Sequence, residues 1–339
     1  MAPRKRKISE RIHVMTNLLV MKAYLKSIYA KYEEFIVPAL KFLLGLMTFS
    51  IINGRLGYMA KINSPLIVLV ASLLCSFMPL GFMVFLAALF LLAHMYALSI
   101  ECMAVLLLAY LFVMVVYFRF APKGHLVLLL TPILFVLKVP YVMPLAAGLF
   151  GTPATAVPVV CGVVIYYMLA YVTGNAQLLG AGDSESALQR IKDVTTGVTG
   201  NREMIIVAVA FAVTVLLVYA IRRMSMDYSR SIAILVGTLA DIVMLLLGDL
   251  MYDANFSLLG VIFGSVVGAF IALVIQFFHF NLDYARTEKV QFEDDEYYYY
   301  VKAVPKMAIA APEKKVKKIT TQRAHQNVRR SNVKHKHKK

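Results

Sequence analysis

Apolar positions in this chain gather into long runs separated by short polar breaks. Eight stretches, 36–53, 64–78, 80–98, 103–118, 154–172, 203–221, 230–247 and 257–280, are almost wholly hydrophobic, and Pro, Gly and charged residues mark the gaps between them. A helix of ~20 apolar residues crosses the hydrocarbon layer, and shorter ones suffice where protein shields them. The pattern predicts an all-α polytopic membrane protein with about eight transmembrane helices over 36–280. A further apolar stretch, 126–150, is interrupted by Lys138, Pro140 and Pro144 and ends beside Gly151 and Pro153. It reads as a re-entrant hairpin turning near 139–144, because broken backbone is tolerated at membrane depth only where protein or water satisfies it.

The flanks have other patterns. In 1–35, Ile8, Ile12, Met15, Leu18, Leu25, Ile28 and Tyr32 recur at helical spacing among lysines and arginines. This predicts a basic amphipathic helix on the cytoplasmic membrane surface; the segment lacks a small-residue cleavage pattern and reads as retained. The cytoplasmic stretch 281–311 contains Tyr297, Tyr298, Tyr299 and Tyr300 followed by Val301 and closed by Pro305, which predicts an extended strand. No second strand is evident outside the membrane, so residues 290–305 are expected to pair with a protein partner or a second copy of the chain. From Pro312 onward the sequence is polar and basic, as in a disordered tail over 312–339.

Composition narrows the class. The chain has 339 residues, 60% hydrophobic and 16% charged, with mean hydropathy +0.72, values outside those of soluble domains, coiled coils or disordered chains. Three cysteines, Cys75, Cys102 and Cys161, each within an apolar run, do not make a disulfide framework. The net charge of +16 is concentrated at the ends: 1–35 hold eight basic and three acidic residues, and 281–339 hold fifteen and seven. Such ends suit the anionic cytoplasmic leaflet; anionic lipids are the expected contact and nucleic acid a lesser alternative.

Loop charge sets the orientation, since Lys and Arg of short loops stay in the cytoplasm. Both termini fall inside, with Arg119, Lys123, Arg222, Arg223 and Arg230; Glu101, the polar segment 173–202, Asp249 and Asp253 fall outside. Arg55 and Lys61 fit worst, because the scheme places them outside. Trp is absent, and Tyr96, Tyr117, Tyr171, Tyr219 and Tyr252 near span ends take the interfacial role.

Catalytic signatures are lacking: there is no GxSxG, HExxH, Walker-type loop or CxxC pair. Gly180-Ala181-Gly182 lacks the third glycine and the preceding strand of a nucleotide fold, and reads as flexible external loop. Glu293, Asp294, Asp295 and Glu296 beside a basic tail read as solvated or paired rather than as a metal site. No cofactor and no enzyme activity is expected. Charges inside spans carry more information, because each costs at least ~2.5 kcal/mol at mid-bilayer. Asp241 is the acid nearest a span centre and shares a face with Ala233, Gly237 and Ala240, while Lys138 sits at the hairpin turn and is a candidate partner for it. Lys41 in the first span is placed to snorkel. Gly260, Gly264, Gly268 and Ala272, four residues apart, make a small face for close helix packing.

The run from Asp283-Tyr284-Ala285-Arg286 through Glu296-Tyr297-Tyr298-Tyr299-Tyr300-Val301-Lys302-Ala303-Val304-Pro305-Lys306 resembles a segment of an uncharacterised family of multi-spanning bacterial membrane proteins. The resemblance implies a bacterial plasma membrane and brings no activity or site. The expected function is a membrane scaffold or assembly component that recruits a partner through 290–305. The alternative is a secondary transporter or channel built around Asp241 and the hairpin.

Overall fold

The computed structural model describes residues 2–180, 187–254, 256–280 and 288–303. It divides into two units, Met1–Tyr24 with Met307–Lys339, and Leu25–Lys306. The helical backbone that opens α1 is the described part of the first; the second holds the bundle. The tail 312–339, residues Ala181 and Gly182, Asp283 to Arg286 and Pro305 lie outside the described residues.

Twelve α-helices, one short 3-10 helix (Pro153–Thr155) and one β-hairpin make up the described chain. α1 (Ala2–Arg55) carries a break in helical backbone at Tyr32 and Pro38 one and a half turns later, near the start of the apolar run. α2 (Pro65–Phe77) starts on Ser64 with proline in its first turn and ends before Pro79, which disfavours helix at the preceding residue. Ser99 closes α3 (Leu80–Leu98) and caps α4 (Ile100–Phe120), its hydroxyl accepting from the Cys102 amide. Asn201 does the same for α10 (Arg202–Arg222) and Ser257 for α12 (Leu258–His279). These side chains satisfy amide donors that a helix start leaves open. α11 (Ser229–Tyr252) lies antiparallel to α10, and the two are the most closely apposed pair. At their crossing a Cβ on Gly237 would stand 2.3 Å from Val218, so only glycine permits the approach.

Among the described residues, seven helical segments are long and apolar enough to cross a membrane: Val20–Arg55, Leu80–Leu98, Ile100–Phe120, Pro153–Gly174, Ala187–Arg222, Ser229–Tyr252 and Leu258–His279. Seven rather than eight appear because the run at 64–78 forms only the 13 residues of α2, about 20 Å of helix at ~1.5 Å per residue. The stretch 126–150 forms two short helices, α5 (His125–Val136) and α6 (Val142–Phe150). Between them the Val139 amide donates to Leu134 O and the Lys138 amide to Phe135 O, with Lys138 at φ 61°. That is a Schellman closure with lysine at the left-handed position usually given to glycine. α6 ends under Arg222, whose Nη1 and Nη2 donate to the carbonyls of Leu149 and Gly151. Cys75, Cys102 and Cys161 are buried free thiols.

Two expectations change. The polar segment 173–202 is largely helical: after α7 (Ala156–Gly174) come α8 (Ala176–Gly180) and α9 (Ala187–Thr199). α9 is fixed by burial of Val194 and Val198 and by a 2.8 Å ion pair from Arg190 to Glu101 on α4. The strand expected to need another chain instead pairs within this one. β1 (Glu288–Glu293) and β2 (Tyr298–Ala303) are antiparallel, with Phe292 opposite Tyr299. The turn is made by Asp294, whose Oδ1 accepts from the amides of Glu296 and Tyr297 and whose Oδ2 accepts from the Tyr299 hydroxyl. An aspartate turn of this kind needs no glycine, and for that reason it does not stand out in an acidic run.

Candidate functional site: an aromatic cavity above a buried carboxylate

Where α7, α10 and α11 meet the α5–α6 turn, a cavity of about 450 Å³ opens between them. Its walls are largely aromatic because α5, the α5–α6 turn, α7 and α10 each bring a ring to the same place. α5 supplies Phe135, the turn Tyr141, α7 Tyr166 and Tyr167, and α10 Phe211. The rings hold one another: Phe135 stacks on Tyr166 with centroids 4.5 Å apart, meets Tyr167 edge-on at 5.9 Å, and lies 5.8 Å from Phe211. Tyr141 meets Phe211 edge-on at 6.1 Å. Such pairs add roughly 0.5–1.5 kcal/mol each beyond their buried area, so the box is preformed rather than assembled on binding.

Glu203 brings the negative charge. It lies in the first turn of α10, beside the capping Asn201, and both line the cavity. Its carboxylate has no hydrogen bond or ion pair among the described residues and is exposed at the mouth. Below the floor is Asp241, 2% exposed. Asp241 is not on the cavity lining, but Leu245, one helical turn further along α11, and Phe211, three residues before Thr214 on α10, both are. Asp241 Oδ1 accepts from Thr214 Oγ1 at 3.3 Å, and Asp241 lies within electrostatic reach of Tyr141.

Tyr141 itself is seated by the small face of α12. A Cβ on Gly264 would stand 2.5 Å from Tyr141 Cε2, and one on Gly268 3.1 Å from the Tyr141 backbone. Ala272 is fully buried. Gly260 takes no part in this contact: its nearest neighbour is Ser257 of its own turn.

The other residues singled out by sequence fall elsewhere. Lys138 is exposed and forms no ion pair with Asp241; its backbone takes the left-handed conformation at the close of α5. Lys41 Nζ donates to Met78 O at 3.2 Å, across to the end of α2. Tyr297, Tyr298 and Tyr300 are exposed on the hairpin, and Tyr299 stacks on Phe292 with centroids 4.9 Å apart. No group of three or more His, Cys, Asp or Glu suited to a metal occurs among the described residues.

Sequence reading passed over Glu203, Tyr166, Tyr167 and Phe211. Rings in apolar runs look like ordinary core, and an acid in the first turn of a helix looks like a dipole partner. Comparison with protein-family models, curated proteins and solved structures finds no match.

Proposed function

We propose that the protein is a membrane carrier or channel for a small organic cation, which it takes into the aromatic cavity beneath Glu203. One observation carries this reading: rings of five residues from four elements converge on a preformed cavity whose mouth holds an unpaired carboxylate. Aromatic faces attract cations by ~2 kcal/mol or more once water is displaced, and a carboxylate adds long-range attraction. A cavity of this size falls in the range of about 300–1,000 Å³ usual for small-molecule sites. Asp241, buried below the floor without a counter-cation among the described residues, is the group to which a cation or proton would pass next.

The reading carries an orientation: both termini are cytoplasmic and the cavity mouth faces outward in a bacterial plasma membrane, with α5 and α6 as a re-entrant pair. The basic residues Arg222, Arg223 and Arg230 around the short connection between α10 and α11 support it, because such loops stay cytoplasmic. So does the shortness of α5 and α6, 12 and 9 residues, each well below the ~20 needed to span. The basic ends then lie against anionic lipid.

Calorimetry in detergent with tetraethylammonium, a neutral isostere and a sulfonate of similar size tests the site, and uptake of labelled tetraethylammonium into proteoliposomes tests transport. The ammonium should bind alone, and Glu203→Gln and Tyr167→Leu should each weaken it at least tenfold. Equal binding of all three compounds, or no effect of either substitution, would sink the reading.

A role in assembly keeps support from one observation. Val290, Phe292, Tyr298 and Tyr300 are exposed on a two-stranded hairpin, and such a ribbon is marginal in water without a third strand or a covering surface. Capture of a partner lost in Tyr299→Pro would favour that role.

A further inference from the structure

A second cavity, of about 390 Å³, lies between α1, α3, α4, α5 and α7. Its wall is mostly hydrocarbon, from residues such as Ile52, Val84, Leu129, Ile133 and Leu169, with the rings of Tyr110 and Tyr166 among them. The threonines along it do not make it polar. Thr48 Oγ1 donates to Leu44 O at 2.7 Å and Thr173 Oγ1 to Leu169 O at 3.0 Å, so each hydroxyl is engaged with its own helix. Apart from the two phenols, water has little to bond to in such a space, and largely apolar cavities favour an apolar guest.

The charged residue on the lining is Arg55. It ends α1 and lines the cavity together with Val136, Thr173 and Gly174, which stand at the ends of α5 and α7. The cation therefore sits at one end, while Thr48, two turns back along α1, and Val84, early in α3, lie deeper. Arg55 is exposed and has no hydrogen bond or ion pair among the described residues. The chain on both sides of it is held. Asn53 Nδ2 donates to Ile62 O at 2.9 Å, and the Met59 amide donates to His94 Nδ1 at 3.1 Å. With Nδ1 accepting, the proton of the fully buried His94 ring is on Nε2, which donates to Asn53 Oδ1 at 2.9 Å. The backbone at the mouth is thus clamped to α3, and a guanidinium is presented there with all its donors available.

From this juxtaposition of one free guanidinium and a hydrocarbon-walled cavity behind it, we infer that the cavity binds a long-chain carboxylate, with the acyl chain among α3, α5 and α7 and the carboxylate paired to Arg55. A neutral chain would leave the cation unused, and an alkylammonium would meet it as a like charge. A phosphate monoester brings up to two charges against the single cation lining the cavity, whereas a carboxylate brings one and matches the guanidinium fork. The inference is independent of the cation-carrier reading, which concerns the other cavity. It also gives the worst-fitting residue of the loop-charge scheme a chemical reason for its place.

The experiment uses the full chain in nanodiscs of zwitterionic phosphatidylcholine, with cis-parinaric acid as the fluorescent probe. Palmitate, hexadecanol and hexadecyltrimethylammonium serve as competitors. Expected are saturable binding and displacement by palmitate at concentrations at least tenfold lower than the alcohol requires. Arg55→Gln should weaken palmitate at least tenfold and leave the alcohol unchanged, and Arg55→Lys should restore part of the loss. Gly174→Leu, at a position where a Cβ meets nothing within 4 Å, should narrow the mouth and weaken both. Signal that merely tracks lipid amount, equal competition by all three compounds, or full palmitate affinity in Arg55→Gln would overturn it.

Discussion

Thr214 Oγ1 donates to Asp241 Oδ1, joining α10 to α11 in the interior of the bundle. Thr48, Ser72, Thr131 and Thr238 turn their hydroxyls back to carbonyls four residues earlier in their own helices. Thr214 instead offers its proton to a neighbour's carboxylate, and that carboxylate has no ion-pair partner among the described residues. A structural role would be served as well by an amide; a role in passing cations or protons would not.

Asp241→Asn separates these. The amide oxygen can still accept from Thr214, so the melting temperature in detergent should stay within a few degrees. Cation uptake into proteoliposomes should fall at least tenfold, because the charged form is gone. Thr214→Val should cost about 1 kcal/mol of stability, the worth of one hydrogen bond. Full uptake by a well-folded Asp241→Asn protein would assign the residue to packing.

The small face of α12 should be unequal along its length. Gly264→Leu drives a side chain into the Tyr141 ring, and overpacking of this kind costs roughly 1–3 kcal/mol. It should also weaken cation binding by displacing a cavity wall. Gly260→Leu, whose new atoms meet only Ser257, should leave both nearly unchanged. Thermal melts and calorimetry on the pair read the difference.

Arg222 closes α6 by forking to two carbonyls at its end. A lysine keeps the charge but not the planar fork. Arg222→Lys should therefore lower stability by about 1–3 kcal/mol, visible as a lower melting temperature and as faster amide exchange around Leu149 to Gly151. Unchanged exchange there would mean that the fork is dispensable.

The hairpin turn should be acid-sensitive. The Asp294 carboxylate is held below its ordinary value of 3.8 by the Glu296 amide, the Tyr299 hydroxyl and the Tyr297 amide. A lowered folded value means that its contribution is complete above the ordinary value and disappears as pH falls through the lowered one. Amide exchange at Tyr297 in the full chain should accelerate in that acid range. Asp294→Asn should remove the pH dependence, and an identical acid response in that variant would place its origin elsewhere.

How much of this was legible in the sequence depends on the range of the interaction. The long helices follow from runs of apolar residues, while the capping residues Ser99, Asn201 and Ser257 were not singled out because a polar residue before an apolar run is also ordinary loop. Burial of Asp241 and the closeness of α12 at Gly264 and Gly268 were also visible, since both depend on helical spacing alone. The shortness of α2 was harder to see, because Pro79 splits an apolar stretch whose composition alone suggests a span. The hairpin was missed because its turn uses Asp294 in place of glycine, and the partner of β2 had to be sought in the polar residues 288–293. The aromatic box could not be foreseen: Phe135, Tyr166 and Phe211 are remote in sequence, and nothing local marks rings that will converge.

Tyr166 walls both cavities, with Ala170 beside it, and it is held on one side by its stack with Phe135. A ring in that position cannot adjust to a guest in one volume without shifting the boundary of the other. If occupants of the two spaces influence each other at all, the free energy of that influence must be the same in both directions. A fatty acid that tightened ammonium binding fivefold would have its own affinity raised fivefold by the ammonium, and one partition of tyrosine would set the exchange between them.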